Sequence, residues 1–275
     1  MAYPTISAPY GFKPVNLIGS QVFAGGTRNY TIQNNYGTAI SYGDFVTVTS
    51  GLVTRAAVTS STSGKQTIGV FLGCSYTNPT TKQKLFSQNY PGSVAAGDIQ
   101  AIIVEDPDTV FKVAVVTANG GTTIGSASQA IVGLNLAGSD LAGNANTGDS
   151  ATAVVAPTAT PSTGLPFRVL ALVPDTAQAT SATGGNASTP GTTITLTGSG
   201  LPTAIPQGAD IAYLLNGQLV QTGAFVANSG GYAAGTTSIT TDKNVSIPTG
   251  STVVFTSYPE VLVKINFGIH NYYAA

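Results

Sequence analysis

Residues 258–273 read YPEVLVKINFGIHNYY, and their apolar side chains recur at every second position. Val261, Val263, Ile265, Phe267 and Ile269 fall on one side, and Leu262, Lys264, Asn266 and Gly268 on the other. A period of two is the side-chain period of a β-strand; a helix would scatter these residues around its circumference. Residues 41–56, SYGDFVTVTSGLVTRA, alternate around Phe45, Val46 and Val48 before a turn at Ser50-Gly51. Residues 67–77, TIGVFLGCSYT, are short and nearly all apolar, the pattern of a strand buried on both faces. Residues 98–116, DIQAIIVEDPDTVFKVAVV, hold two strands joined by the turn residues Glu105-Asp106-Pro107-Asp108. Residues 165–175, LPFRVLALVPD, form another strand and are expected to neighbour the one at 258–273. The only helical signal is a short one near SASQAIVGLNLA. The expected fold is therefore all-β, a barrel- or sandwich-like body with an extended N-terminal arm and an inserted small β domain.

Three segments follow from changes in texture. Residues 1–30 read as the arm: Pro4, Pro9 and Pro14 each remove a backbone donor and disfavour helix before them. The arm still carries Tyr3, Ile6, Tyr10, Phe12, Val15, Leu17 and Ile18, which suits an extended segment laid on another surface. The alternative is an arm packed on its own domain. On the first reading, removing residues 1–20 leaves the body folded. Residues 31–176 and 258–275 form the β body. Residues 177–257 open with a flexible Gly/Ser/Thr stretch and then show strands of their own, the signature of a module inserted into one loop. Within it Ile205-Pro206-Gln207-Gly208 is echoed by Ile247-Pro248-Thr249-Gly250, each before a strand.

Only 8% of the chain is Asp, Glu, Lys or Arg, ten basic and eleven acidic residues. By area–mass scaling that is about one charge per ~500 Å², against one per ~160 Å² in an ordinary domain. Charge normally keeps protein copies apart, so its scarcity points to a surface covered by partners, or to one solvated by Ser, Thr, Asn and Gly. Net charge is −1 with no basic run, which argues against nucleic acid as a partner. No apolar stretch approaches the ~20 residues of a membrane helix, and the opening Met1-Ala2-Tyr3-Pro4 carries no secretory signal, so synthesis in a cytoplasm is expected.

Candidate chemistry is sparse. His270 is the only histidine and Cys74 the only cysteine, so neither a zinc set nor a disulfide is available within the chain. Cys74 lies in an apolar run and reads as a buried, inert thiol. Glu105, Asp106 and Asp108 lack the ligand spacing of a calcium loop and read as a solvated turn. Asp44 and Asp98 both follow Gly at strand starts; a carboxylate pair can hydrolyse glycosides, and an Asp can equally close a turn. No catalytic residue, metal site or cofactor is expected.

The segments APYGFKPVNLIGSQVFAGGTRNYTI, SYGDFVTV, IGVFLGCSYT, KLFSQNYPGSVAAGDIQAIIVEDPDTVFKVAVV, GLPFRVLALVPDT and YPEVLVKINFGIHNYY together resemble a family of small virion proteins of tailed bacteriophages. The family occurs especially in phages of marine and freshwater bacteria and serves as head decoration, or cement. The resemblance covers most of the chain outside the excursion near 177–257, which is similar instead to β modules of other phage structural proteins. It implies a protein of the virion surface that binds the major capsid protein, and itself as a homotrimer or dimer, with no enzymatic role. The arm residues Tyr3, Ile6, Tyr10, Phe12, Val15, Leu17 and Ile18 are then the expected contacts to capsid or sister subunits. Tyr213 and Tyr232 in the module are candidates for outward-facing binding. A host- or glycan-binding head ornament, or a tail or baseplate component, are the rival readings.

Overall fold

A computed structural model describes residues 8–19, 21–57, 67–121, 125, 127, 129–157, 165–173, 176, 180–186, 190–205, 207–215, 218–255 and 258–266. The first part of the chain contributes β1 (Lys13–Leu17), β2 (Gln21–Val22), β3 (Arg28–Thr31), β4 (Phe45–Thr49), β5 (Leu52–Arg55), β6 (Gly69–Thr77), β7 (Lys84–Ser87) and β8 (Gln100–Val104). The middle contributes β9 (Thr109–Val116), β10 (Asn135–Leu136), β11 (Gly138–Ser139), β12 (Ala153–Val155) and β13 (Phe167–Leu172). Then come β14 (Thr180–Gly185), β15 (Gly191–Leu196), β16 (Asp210–Leu215), β17 (Gln218–Phe225), β18 (Ser238–Val245), β19 (Ser251–Phe255) and β20 (Glu260–Ile265). The expected all-β class is what the chain adopts; among the described residues the only helical piece is a 3-10 turn at Gln129–Ile131.

The strands make three sheets. The first runs β3-β8-β6-β4-β5, with β7 continuing on β6, and a parallel bridge between Ile32 and Val53 brings β5 back beside the end of β3. The result is a nearly closed barrel. The second, central sheet runs β10-β13-β20-β9-β1-β2, with β12 following β1 along the same side of β9. The third runs β17-β16-β19-β14-β15-β18, and Val226 bridges Thr241 to join its outer strands. All six of its strands lie between residues 180 and 255. It leaves the central sheet after β13 and returns before β20, and those two strands pair antiparallel, Val169 opposite Val263. Thr180 of β14 is paired directly with Phe255 of β19, so the excursion starts and finishes at one place.

Burial explains the near-continuous apolar runs. Strands β4, β6 and β8 send Val46, Phe71 and Ile103 into the barrel and Phe45, Val70 and Val104 out against the central sheet. The central sheet answers with Phe111, Val113, Val115, Phe167, Val169, Val261, Val263 and Ile265, the alternate positions of β9, β13 and β20. The turn Glu105-Asp106-Pro107-Asp108 carries the chain from one of these layers to the other: β8 and β9 belong to different sheets. The 180–255 sheet wraps its own core around Ile194, Ile211, Ile239, Val253 and Phe255. It meets the central sheet through a small patch in which Ala212 and Val254 pack on Ala114, Val116, Ala153 and Tyr258.

The N-terminal segment corrects the expectation of a free arm. From Lys13 onward it is a strand of the central sheet, with Lys13 opposite Lys112 and Leu17 opposite Thr109. Phe12 has no exposed surface; its ring lies 4.4 Å from that of Phe45, 4.8 Å from Phe167 and 6.3 Å from Phe111. Entry to this position needs two glycines. Gly11 (φ +81°) and Gly43 (φ +92°) pass so closely that a Cβ on Gly11 would lie 2.7 Å from the Ser150 Cβ, and one on Gly43 2.9 Å from the Phe12 nitrogen. The Phe12 N–H donates to Gly43 O at 3.1 Å. Pro14 fits because the ladder shifts register between Pro14 and Asn16, where a missing donor costs little.

Candidate interaction surfaces

The arm residues separate into three groups. Tyr3 and Ile6 lie outside the described residues. Tyr10 and Phe12 are committed to the interior, and for them the expected role as outward anchors is corrected. The Tyr10 hydroxyl donates to Glu260, whose carboxylate is buried and also takes Lys112 at 3.2 Å. Burial first, and then Glu260, push the Tyr10 hydroxyl far above the ordinary tyrosine range, so it stays a neutral donor. Lys13 sits over the Tyr10 ring, 4.4 Å from its centroid. Val15 and Ile18 do face outward, 46% and 43% exposed, and Leu17 is half-buried. Val22 on the short edge strand joins them at 83%. The β1–β2 hairpin thus presents an apolar edge of the central sheet, and β2 has no neighbour on its far side among the described residues.

Phe86, on β7, is 80% exposed and was not singled out in the sequence, where it lies in a polar connection beside Lys84. Its neighbour Leu85 packs against the barrel core, so strand alternation was the signal that could have placed Phe86 outside. Tyr213 and Tyr232 are half-buried and pack on the module's own core, and the Tyr232 hydroxyl accepts from the Thr240 N–H at 2.9 Å. They contribute to the module's packing and keep part of their surface exposed.

The polar side chains weighed as chemistry are engaged in structure. Asp44 is fully buried; it accepts from Ser150 Oγ at 2.6 Å, Thr152 Oγ1 at 3.1 Å, the Ser41 N–H at 2.8 Å and Arg55 Nε at 3.1 Å. Arg55 also binds Asp140 and donates to Leu141 O at 2.9 Å. Burial alone would lower the guanidinium pKa, and the two carboxylates reverse that and hold it above its ordinary value. The cluster clips the barrel to residues 140–152 beside the passage of Gly11. Asp98 caps the β6–β7 hairpin through Thr77 and Lys84. Glu105 takes Arg28 at 2.7 Å and the Tyr30 hydroxyl, Asp106 accepts from the Asp108 N–H, and Asp108 takes Lys264. Cys74 is buried, and desolvation pushes its thiol up to about 12. His270 lies outside the described residues. Among the described residues no group of three or more His, Cys, Asp or Glu could hold a metal ion, and no helix is long and apolar enough to cross a membrane.

The chain matches no family model, and neither the curated proteins nor the solved structures returned a match.

Proposed function

We propose that this chain is a capsid decoration, or cement, protein that binds the outside of a phage head as a homotrimer. In that position it bridges neighbouring major capsid proteins and resists the outward pressure of packaged DNA. The observation that carries the reading is the β1–β2 hairpin. In a chain so poor in charge, Val15, Ile18 and Val22 line an open sheet edge, a surface that invites aggregation unless a partner covers it. The sequence resemblance runs through the same hairpin. Attachment is by this hairpin rather than by a loose arm, because Phe12 fixes the strand to the body. Trimers match the three-fold and quasi-three-fold junctions of an icosahedral shell, where many copies multiply weak contacts.

The test is binding to heads prepared without the chain. The wild-type protein is expected to pellet with heads in numbers comparable to the major capsid protein and to raise the temperature of DNA release. The Ile18→Glu/Val22→Glu variant, whose sites are exposed, is expected to stay folded and to lose most of that binding. Equal binding by the variant, or density for the chain on the tail alone, overturns the proposal.

A further inference from the structure

The face of the central sheet turned away from the barrel, covered by the module at Ala114 and Val116, gathers cations that the sequence disperses. Lys13 is directly opposite Lys112, and Arg168 is directly opposite Lys264. Lys112 is opposite Leu262, two positions from Lys264, so the two pairs are diagonal neighbours across β1, β9, β20 and β13. That the four share one face follows from alternation. Phe111, Val113, Phe167, Val263 and Ile265 point into the core between them, and Lys13 and Lys112 converge on Tyr10 and Glu260. Four of the chain's ten Lys and Arg residues therefore fall within three strand spacings, about 14 Å.

Like charges directly opposite each other in a sheet are destabilising. A chain that solvates most of its surface with Ser, Thr and Asn has no need of two such pairs. Internal carboxylates answer them only partly. Glu260 takes Lys112 at 3.2 Å and Asp108 takes Lys264 at 2.9 Å. Lys13 rests on an aromatic ring, and the exposed Arg168 has no ion pair among the described residues. The face is left with a net charge of about +2, flanked by the partly exposed Leu170 and the half-buried Leu262.

We propose that this face docks an acidic polypeptide segment of a partner protein, one that brings two or three Asp or Glu carboxylates together with an apolar side chain. Arg168 supplies the bidentate contact, and Leu170 and Leu262 receive the apolar residue. A nucleic acid fits less well. Its backbone needs a long basic track, whereas this patch is short and carries Asp108 and Asp106 at one rim. A second copy fits less well too, because the chain's densest acidic run, at 105–108, is already held by Arg28 and Lys264. The proposal does not depend on whether the partner is a capsid.

The test is fluorescence anisotropy of the full chain with labelled hexa-aspartate, and with a labelled DNA duplex of similar size. The peptide is expected to bind at low ionic strength and to weaken steeply as salt is raised. Arg168→Glu should weaken peptide binding by about tenfold or more, since it removes one charge and adds its opposite. Arg168→Gln, a milder change at an exposed site, should show a smaller loss in the same direction, and Lys243→Glu on the module should show none. Circular dichroism verifies that each variant is folded. Absence of peptide binding, equal loss with Lys243→Glu, DNA bound as tightly as the peptide, or a self-association that Arg168→Glu abolishes would each overturn the proposal.

Discussion

Truncating Phe12 to alanine tests the placement of the N-terminal segment more sharply than any deletion. The ring is fully buried and joins three pieces of chain: Phe45 from the barrel, and Phe111 and Phe167 from the central sheet. Removing a buried phenylalanine ring costs about 3–5 kcal/mol, part of it the cavity that neighbours fail to fill. Collapse is hard here, because the close passage of Gly11 and Gly43 fixes the backbone on one side and a strand ladder fixes it on the other. Against a total stability of about 5–15 kcal/mol the loss is large. At about 2–4 °C per kcal/mol for a chain of this size, the melting temperature should fall by roughly 10 °C. Guanidinium unfolding followed by circular dichroism measures the effect, with Val15→Ser as the surface control, expected within about 0.5 kcal/mol of wild type. A Phe12→Ala cost under about 1 kcal/mol would refute the argument and restore the segment as a detachable arm. By the same reasoning, removing residues 1–20 takes out a strand and the Phe12 anchor, and is expected to unfold the body.

Asp44→Ala leaves Arg55 facing Asp140 as its one carboxylate and removes the acceptor that Ser150 and Thr152 share, leaving those two bonded only to each other. It should cost about 3–5 kcal/mol, measured by the same denaturation, and a cost near zero would show that the clip is dispensable. Alkali should destabilise the fold over a defined window. The Cys74 thiol ordinarily titrates near 9 and is pushed up to about 12 by burial, so the folded state retains a proton that the unfolded chain releases. This contribution is fully present below about pH 9 and is lost as pH rises toward about 12; Cys74→Ala should flatten that part of the stability curve. The native thiol should also resist a thiol reagent at neutral pH and react on unfolding, and rapid labelling of the native protein would contradict its burial.

The strands were legible because alternation is local. Val261, Val263 and Ile265 could be assigned to one face from spacing alone, and the double-sided burial of residues 69–74 followed from their unbroken apolarity. The fate of the first thirty residues was not legible. Pro4, Pro9 and Pro14 describe an extended backbone equally well in a free arm and in a strand with a register shift. The choice depends on Gly43 and Ser150 making room for Gly11, a contact between segments far apart in sequence. The cationic face was hidden for the same reason. Positions 13, 112, 168 and 264 form no run, and only the strand order places them side by side. Phe86 was lost in a segment whose composition is polar, although its alternation with Leu85 was there to use.

The pairing of Thr180 with Phe255 has a kinetic consequence. Strand β20 lies between β13 and β9 in the central sheet, yet it follows the whole 180–255 sheet in the chain. Synthesis therefore delivers the middle of the body after the module, and the body cannot close around β9 until residues 260–265 have emerged. If the module has folded by then, its two ends are already held together and the distance β20 must search shrinks to the short stretches flanking Thr180 and Phe255. Loop-closure scaling puts that contraction at roughly 1–2 kcal/mol of entropy, removed from the barrier to pairing β13 with β20. The module thus acts on the body as a clasp set in advance, and a sequence change that slows its folding slows the assembly of a sheet to which it contributes no strand.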